Sequence, residues 1–575
     1  MCGILGYLGN KNGVPLVHEG LKALSYRGYD SWGIAAIRGK ETIIQKEVGD
    51  ISKCAPMDAH SPIVIGHTRW ATHGGVTDNN AHPHTNNDGT ISVVHNGIIE
   101  NYHLLKEALL EEGYTFTSET DTEVIPHLID FYMKRGKTFK DAFARTLKDL
   151  KGSYAILAMH ALEGIHFARN GSPLILGIGD NEMFVSSDIP SFLPHTKRII
   201  TLEDGDYGSL TPLAITNKGK PVKREESLAH WDLEVAKKGT YEHFMLKEIE
   251  EQPLTIRKAL NQPCELIVKA TQLMDTSTII FVGCGTSYNA CSIALTHFVH
   301  AGKQAMTVLG SEFESVLPYI NNKTLLIAVS QSGETADVID SIKSAQKKGA
   351  KVISIVNSPS STIARLADLT IPMNCGPELC VLSTKSCTSQ IAILMMLAFA
   401  LQKKDIGLLK EAADTALHVI KQTKPQMQQL ARKIANERSM FVIGRKSLAH
   451  VAREAALKIK EVSYIHAEGM PAGELKHGTI AVVCDGLPVI VFADNQTRAH
   501  TTSNAMEVKA RGAFVIGIDS KPSHAYDYHI SIPDIEEATP LIALLPVQLL
   551  SYYLALERKC DPDKPRNLAK SVTVR

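Results

Sequence analysis

The sequence predicts a multidomain α and β protein, in which a largely antiparallel N-terminal domain precedes two tandem, doubly wound α/β domains. The chain has 575 residues, of which 44% are hydrophobic, so it is too long for one core and predicts roughly three or four domains. Short strand runs dominate its first part. The second part alternates apolar strands with amphipathic helices, and this alternation occurs twice along the chain.

The N-terminal domain is predicted over residues 1–225. It contains short β-rich runs such as SPIVIGHTRWATH, TISVVHNGII and GSYAILAMH, separated by Gly, Asn and Asp turns. Helical patterns, NYHLLKEALLEEG and DTEVIPHLIDFYMKRG, lie between these runs. Residues 226–262 are helical and charged, which is typical of a linker.

Continuous Val, Ile and Leu runs follow the linker, as in TSTIIFVG, and they predict buried parallel strands. The pattern of residues 283–330 recurs at 444–494 over a similar length. We therefore predict doubly wound domains at 263–410 and 425–560. The polar tail, residues 561–575, shows little periodicity, and we expect it to dock.

Charge and hydropathy exclude several classes of partner. Lysine and arginine total 61, as do aspartate and glutamate, and no block of like charge stands out, so we expect no nucleic-acid partner. No stretch approaches the ~18 consecutive apolar residues of a membrane span, and the first residues do not form a secretory signal. We expect no membrane partner and a cytoplasmic location.

Neither the cysteines nor the histidines predict a metal. The ten cysteines form no close framework and are expected to be reduced, and Cys375, Cys380 and Cys387 lack a CxxC spacing. No HExxH motif is present, so satisfied loop and core positions are the better interpretation of the clustered histidines. These histidines are His67, His73, His82, His84 and His95. We expect neither metal nor cofactor.

Cys2 is the first candidate catalytic residue. Removal of the initiator methionine would leave a thiol and a free α-amine on the same residue. The amine titrates near ~7.7 to 8.0 and the thiol near ~8.5, so the amine can take up the thiol proton close to neutral pH. Taken alone, a buried structural cysteine is the commoner interpretation of Cys2.

The surrounding motifs change that interpretation. CGILGYLG, LSYRGYDSWGIA, GHTRWATHGG, VVHNGIIENY and SETDTEVI occur in this order and resemble the glutaminase domain of class II amidotransferases. The resemblance implies an N-terminal-nucleophile fold, a four-layer α/β/β/α sandwich, in which Cys2 attacks the glutamine amide. It assigns Asn96 and Gly97 to the oxyanion hole, where each donor stabilises the developing charge by about 3 to 4 kcal/mol. The implied glutamine-binding residues are Arg69, Trp70, Thr72, His73 and Asp121.

Arg27, in the motif YRGYDS, matches a position beside the nucleophile. Its charge would help to hold the thiolate. An arginine that fixes a structural turn explains the motif equally well.

Three hydroxyl-rich loops follow predicted strands or open helices in the second part of the chain, where the ligands of open α/β sheets bind. Each loop alone is more often a helix N-cap. SQSGET resembles the sugar isomerase (SIS) fold, whose members bind phosphosugars. The candidate sugar-phosphate residues are Cys284, Gly285, Thr286, Ser287, Ser330, Gln331, Ser332, Thr335, Val381 and Ser383.

The motif EAALKIKEVSYIHAEGMPAGELKHG places Lys458 and Glu461 three residues apart on one helical face. With CGTSYN, SQSGETAD and the tail DKPRNLAKSVTV, it resembles the glucosamine 6-phosphate synthase family of the bacterial type, over nearly the whole chain. The resemblance implies that Glu461 moves a proton between C1 and C2 and that Lys458 assists. It also implies that Lys570 forms a Schiff base and that His477, from a neighbouring subunit, opens the sugar ring.

This family transfers the amide nitrogen of glutamine to fructose 6-phosphate and isomerises the product to glucosamine 6-phosphate, releasing glutamate. The resemblance therefore implies these two small-molecule substrates and a homodimer with a shared isomerase site. Other functions stay open on the residues alone. They are a glutaminase with another acceptor, a phosphosugar-sensing binding protein with an inactive glutaminase, and a deaminase-type isomerase.

Overall fold

The computed structural model describes residues 2–229, 238–275 and 278–573. The chain forms two compact units: Met1–Ala236 together with Ala569–Arg575, and Lys237–Leu568. Residues 230–237 of the predicted linker, residues 574–575 of the tail and Met1, whose removal would free the amine of Cys2, lie outside the described residues.

The first unit contains two antiparallel sheets, in the orders β15-β11-β9-β10-β1-β4-β2-β3 and β14-β13-β12-β8-β7-β6-β5. The strands are short, as the frequent Gly, Asn and Asp turns predict. They are β1 (Gly3–Gly9), β2 (Ser31–Arg38), β3 (Glu41–Val48), β4 (Ile63–Arg69), β5 (His84–Thr85), β6 (Ile91–Ile99), β7 (Gly152–His160), β8 (Gly164–Asn170), β9 (Ile175–Ile178), β10 (Glu182–Ser186), β11 (Arg198–Thr201), β12 (Asp206–Leu210), β13 (Leu213–Asn217), β14 (Lys220–Pro221) and β15 (Glu226–Leu228).

Helices cover the outer faces of these sheets. They are α1 (Gly13–Ala23), α2 (Tyr102–Glu111), α3 (Val124–Lys134) and α4 (Phe139–Asp149). One core lies between α1 and the first sheet, a second between the two sheets around Phe167, and a third between the second sheet and the remaining helices around Phe143. The predicted four-layer α/β/β/α sandwich is confirmed.

The second unit contains two parallel sheets with the same strand order, β17-β16-β18-β19-β20 and β22-β21-β23-β24-β25. The repeated order confirms the predicted pair of doubly wound sheets. The strands are β16 (Thr278–Gly283), β17 (Ala305–Leu309), β18 (Thr324–Ser330), β19 (Lys351–Val356), β20 (Leu369–Pro372), β21 (Ser439–Gly444), β22 (His466–Pro471), β23 (Pro488–Phe492), β24 (Phe514–Asp519) and β25 (Tyr528–Ser531).

The helices of this unit pack around both sheets. They are α5 (Phe244–Glu250), α6 (Gln252–Leu260), α7 (Cys264–Asp275), α8 (Thr286–His300), α9 (Ala336–Lys347), α10 (Thr362–Leu366), α11 (Lys385–Leu401), α12 (Gly407–Ile434), α13 (Ser447–Ser463), α14 (Arg498–Lys509) and α15 (Thr539–Glu557). One apolar core extends across both repeats. The other face of each sheet has a separate apolar cluster, under α9 and α10 in the first repeat and under α14 in the second. The segment Glu536–Glu557 has the length and apolarity of a membrane span, but 94% of its apolar window is buried inside the unit, as in a core helix.

The turn after the first strand of each repeat has the same unusual backbone conformation. Gly285 precedes α8 with φ 51° and ψ −124°, and Lys446 precedes α13 with φ 52° and ψ −131°. Glycine adopts this region freely, whereas a residue with a Cβ is strained there by about 1 to 3 kcal/mol. The second repeat therefore keeps a turn that its lysine disfavours.

We expect Lys446→Gly to raise the free energy of unfolding by about 1 kcal/mol. The relieved strain exceeds the extra unfolded-state entropy of glycine, which costs about 0.4 to 1 kcal/mol. Urea denaturation of the full chain measures the change. Gly285→Ala is the matched variant in the other repeat and is expected to destabilise; a loss of stability in Lys446→Gly contradicts the strain argument.

Candidate active sites

Cys2 directly precedes β1, which lies between β4 and β10 in the first sheet. The Trp70 backbone N–H donates to the Cys2 Sγ over 3.3 Å. Gly28 packs against this backbone, and a Cβ there would lie 2.7 Å from the Trp70 nitrogen. The Trp70 main chain therefore fixes the position of the thiol. It can pack this closely against residue 28 because residue 28 is glycine.

The carbonyl oxygen of Cys2 accepts two hydrogen bonds, from Arg27 Nε over 3.1 Å and from Asn96 Nδ2 over 3.0 Å. Asn96 thus lies beside Cys2, with one amide hydrogen donated to the carbonyl of Cys2. Its Oδ1 is buried and has no hydrogen-bond partner among the described residues. The Asn96 amide is therefore positioned against Cys2 while part of its bonding capacity is unused.

Gly97 follows Asn96 within β6 and has a φ of 127°. A Cβ at this position would lie 1.9 Å from the carbonyl oxygen of Ser153 on β7. Only glycine fits here, so the glycine of the VVHNGIIENY motif is required for the backbone conformation at this position.

Two cavities meet at Cys2, and the volumes given for them include the solvent-filled space at their mouths. One, of about 320 Å³, is lined by Asn96, Gly97 and Ser172 and by Thr573 of the tail. The other, of about 250 Å³, brings all the predicted glutamine-binding residues together with Cys2; they are Arg69, Trp70, Thr72, His73 and Asp121. The sequence motifs did not assign four further residues to this second cavity. These residues are His82, His95, Thr120 and Thr122.

Charged groups in the second cavity are anchored by backbone. Arg69 donates to the carbonyl oxygens of His73 over 2.5 Å, Gly75 over 3.0 Å and Gly74 over 3.2 Å. Asp121 Oδ2 accepts the Ile99 N–H over 2.7 Å. A fixed cation and a fixed anion in one small cavity can bind the two charged ends of an amino acid.

Burial raises the pKa of the Cys2 thiol, and the Trp70 N–H and the charges of Arg69 and Arg27 only partly oppose this. A thiol with a raised pKa is protonated at neutral pH. Nucleophilic attack therefore requires a base that removes its proton.

Four histidines form a buried cluster beside this cavity: His67, His82, His84 and His95. His67 stacks on His82 with ring centroids 4.1 Å apart, and Thr120 Oγ1 lies 3.0 Å from His84 Nε2. Burial lowers the pKa of each, so all four are neutral at pH 7. Among residues 2–229, 238–275 and 278–573, no group of three or more His, Cys, Asp or Glu side chains is arranged for a metal ion.

In the second unit, the SQSGET loop leaves β18 at Ser330 and turns through its own hydroxyls. Ser330 Oγ accepts the Gly333 N–H over 3.1 Å and lies 2.9 Å from Thr335 Oγ1. Ser332 Oγ accepts the Glu334 N–H over 3.2 Å. The loop is therefore ordered by the candidate phosphate ligands themselves.

The loop before α11 is built around a buried carboxylate. Glu378 Oε1 accepts the N–H groups of Thr384 and Ser386, each over 3.0 Å, and Oε2 accepts the Ser386 hydroxyl over 2.7 Å. This anion at a helix start fixes the segment that contains Val381 and Ser383. The sequence analysis did not single out Glu378.

Lys458 and Glu461 lie on α13, with Lys458 Nζ 2.8 Å from Glu461 Oε2. Glu454, which the sequence analysis missed, lies one turn earlier and 3.4 Å from Lys458 Nζ. It accepts hydrogen bonds from Thr286 over 2.9 Å and Asn289 over 2.8 Å, both on α8 of the other repeat. The spacing of four residues between Glu454 and Lys458 was the available signal.

Glu454 and Lys458 are both buried, and the charge of each shifts the pKa of the other. Burial raises the pKa of Glu454, and Lys458 opposes this. Burial by itself lowers the pKa of Lys458, but Glu454 and Glu461 outweigh it, so the Lys458 pKa is raised. Lys458 is therefore a permanent cation at neutral pH beside the Glu461 carboxylate.

The two other candidate catalytic residues of the sugar-phosphate half lie elsewhere. His477 ends a 3₁₀ helix, Ala472–His477, and its side chain is exposed. Lys570 lies in the segment Ala569–Arg575, which groups with the first unit. The structure thus brings together Lys458 and Glu461 on α13, whereas His477 lies on a different element.

Comparisons with known proteins agree with this division. An SIS domain model matches residues 272–400 and 433–558, and a glutamine amidotransferase domain model matches residues 67–194. A protein of Pyrococcus horikoshii named glutamine-fructose-6-phosphate aminotransferase (isomerizing) is 43% identical, and one of the same name from Clostridium tetani is 42% identical. Both alignments cover 100% of each chain.

The solved C-terminal domain of the glucosamine-fructose-6-phosphate aminotransferase of Francisella tularensis is 29% identical, with a TM-score of 0.53. It covers 57% of this chain and 100% of its own. Glucosamine-6-phosphate deaminase of Thermotoga maritima, 23% identical with a TM-score of 0.51, covers 58% of this chain and 100% of its own, and it shares the fold.

The buried histidines predict that the first unit loses stability in acid. Because their folded pKa values lie below the unfolded value of about 6.5, the unfolded chain binds more protons below that pH. We expect the free energy of unfolding to fall as the pH drops below about 6.5, by up to about 1.4 kcal/mol per pH unit and histidine, and the unfolding temperature to fall with it. Differential scanning calorimetry between pH 7.5 and 5 measures this.

His84→Gln is expected to flatten that pH dependence, because glutamine does not titrate. His103→Gln changes an exposed histidine on α2 and serves as the control. Equal slopes in the wild type and His84→Gln would contradict the prediction.

Proposed function

The chain belongs to the family of isomerizing glutamine-fructose-6-phosphate aminotransferases, and from this we propose how its residues divide the reaction. The enzyme transfers the amide nitrogen of glutamine to fructose 6-phosphate and forms glucosamine 6-phosphate and glutamate. The observation that carries the residue assignment is the cavity at Cys2, where a thiol, a cation and an anion face one small space.

Cys2 is the nucleophile of the glutaminase half. Once Met1 is removed, the α-amine of Cys2 takes the thiol proton, and the sulfur attacks the amide carbon of glutamine. Asn96 and the Gly97 N–H stabilise the negative oxygen, and ammonia leaves as the thioester forms. Water then hydrolyses the thioester to glutamate.

Arg69 and Asp121 hold the glutamine. The Arg69 guanidinium pairs with the α-carboxylate and Asp121 with the α-ammonium, while Trp70, Thr72 and His73 complete the wall. Because both charged residues are already anchored by backbone, little ordering is needed when glutamine binds.

The sugar phosphate is bound by the hydroxyl-rich loops after β16 and β18 and before α11. Lys570 forms a Schiff base with C2 of the ketose and releases water, and ammonia then displaces the lysine amine to give the C2 imine. Glu461 removes a proton from C1 and returns a proton to C2, which leaves an aldehyde at C1 and an amine at C2. Lys458, kept cationic by Glu454, orients the Glu461 carboxylate.

We assign the chain to a glutaminase domain (1–225), a helical linker (226–262), two SIS domains (263–410 and 425–560) and a tail (561–575) that closes the active site. The enzyme is a cytoplasmic homodimer in this proposal, in which His477 of a second copy supplies the ring-opening acid. The exposure of His477 supports this, since an exposed side chain is accessible to another chain.

Cys2→Ala is expected to abolish glucosamine 6-phosphate formation from glutamine and fructose 6-phosphate, because no second cysteine among the described residues lines either cavity at Cys2. Chromatographic assay of hexosamine phosphate and glutamate measures both half-reactions. Cys264→Ala removes an exposed thiol and is the control. Glutamate without hexosamine in the wild type would indicate another acceptor, and neither product would indicate a sensor.

Glu454→Gln is expected to lower the kcat of hexosamine formation by about 10- to 100-fold, because Lys458 and Glu461 lose their fixed geometry. Glutamine hydrolysis depends on Cys2 and is expected to continue. The measurement is steady-state kinetics of both half-reactions, with Glu411→Gln, an exposed position on α12, as control. A wild-type kcat in Glu454→Gln would remove Glu454 from the proposal.

A further inference from the structure

The segment that follows β10 holds the N-terminal strand by its side chains. Ser187 Oγ accepts the Ile4 N–H over 3.0 Å, and the Ser187 N–H donates to the Ile4 carbonyl over 3.1 Å. Ser186 Oγ donates to the same carbonyl over 2.9 Å. Two residues beyond Cys2, the chain is therefore fixed by residues far away in sequence.

Asp188, the next residue of this segment, uses both carboxylate oxygens. Oδ1 accepts the Ile189 N–H over 2.8 Å. Oδ2 accepts the Tyr26 hydroxyl over 2.6 Å and lies 3.2 Å from Arg27 Nη1. Burial and the Asp188 charge raise the pKa of Tyr26, so its hydroxyl stays a donor. The carboxylate is thus fixed on three sides.

Arg27 connects this carboxylate to the nucleophile. It is 4% exposed, and its Nε donates to the Cys2 carbonyl while its Nη1 contacts Asp188. The Arg27 guanidinium therefore forms an ion pair with the Asp188 carboxylate. Its direct contact with residue 2 is through the carbonyl. The sequence left open whether Arg27 holds the thiolate or fixes a turn, and the Arg27 charge does lower the pKa of the Cys2 thiol.

We propose that Asp188 is a positioning residue for Cys2, an inference that rests on the proposed role of Cys2 as nucleophile. The direction of the Cys2 carbonyl sets the rotation about its Cα–C bond. That rotation places the Cα substituents, the thiol and the α-amine, relative to β1. Asp188 fixes Arg27, and Arg27 fixes the Cys2 carbonyl. The thiol and the α-amine of Cys2 thereby keep a productive orientation, although Asp188 does not touch glutamine.

This role predicts a specific kinetic signature. Glutamine is bound by Arg69 and Asp121, which do not contact Asp188, so the KM for glutamine is retained when Asp188 changes. The rate of attack depends on the orientation of Cys2, and a displacement of about 1 Å at a reacting group costs about 100-fold. A purely structural role would instead lower the folded fraction and leave the kcat of the remaining folded enzyme unchanged.

The test is steady-state glutamine hydrolysis by the full-length wild type and the variants Asp188→Asn, Asp188→Glu, Asp180→Asn and Cys2→Ala, with thermal unfolding of each. We expect Asp188→Asn to lower kcat by about 10- to 100-fold with KM within about 3-fold and an unfolding temperature near that of the wild type. Asp188→Glu restores part of the kcat. Asp180→Asn, an exposed change in the turn before β10, behaves as the wild type.

A wild-type kcat in folded Asp188→Asn, or a rise in KM that accounts for the whole loss, would overturn the inference. Should Asp188→Asn fail to fold, Arg27→Lys tests the same contact, and a wild-type kcat there overturns it equally. If the wild type shows no Cys2-dependent hydrolysis, the proposed function itself fails. If hydrolysis depends on Cys2 but not on Asp188 or Arg27, only the positioning role fails.

Discussion

The pairing of β1 on both of its edges is the constraint on which the candidate site at Cys2 depends. The strand that follows Cys2 lies between β4 and β10 inside a sheet. Backbone hydrogen bonds therefore define where Cys2 lies before any side chain acts. Trp70 at the end of β4 and Asn96 on β6 then complete the surroundings of the thiol.

The second unit has a different constraint, since its two repeats meet around buried polar side chains. A buried ionic group joins them: Glu454, paired with Lys458 on α13 of one repeat, accepts hydrogen bonds from Thr286 and Asn289 on α8 of the other. Removing one partner from such a group leaves an uncompensated charge in the core. The two repeats therefore share a polar centre as well as the apolar core around it, and neither repeat contains it alone.

Local pattern was enough to predict the largely antiparallel first domain, the parallel sheets and their repetition, because strand runs and turn residues carry that information. The four-layer sandwich was implied by the family resemblance. The motifs also placed Arg69, Asp121 and Cys2 in one cavity. They did not reveal Glu378 or Glu454, because the partners that make a buried carboxylate tolerable come from distant segments. Nor could spacing show that Asn96 and Arg27 both bind the Cys2 carbonyl, which depends on how two strands and a short turn meet.

The long sequence distance between β1 and β10 bears on how the enzyme matures during translation. Strand β1 cannot be fully paired until residues Glu182–Ser186 have been synthesised. At about 5 to 20 residues per second, this takes on the order of 10 to 40 seconds. Throughout that interval, β1 lacks one of its two neighbouring strands. The proposed removal of Met1 therefore has time to occur before β10 closes the sheet beside Cys2.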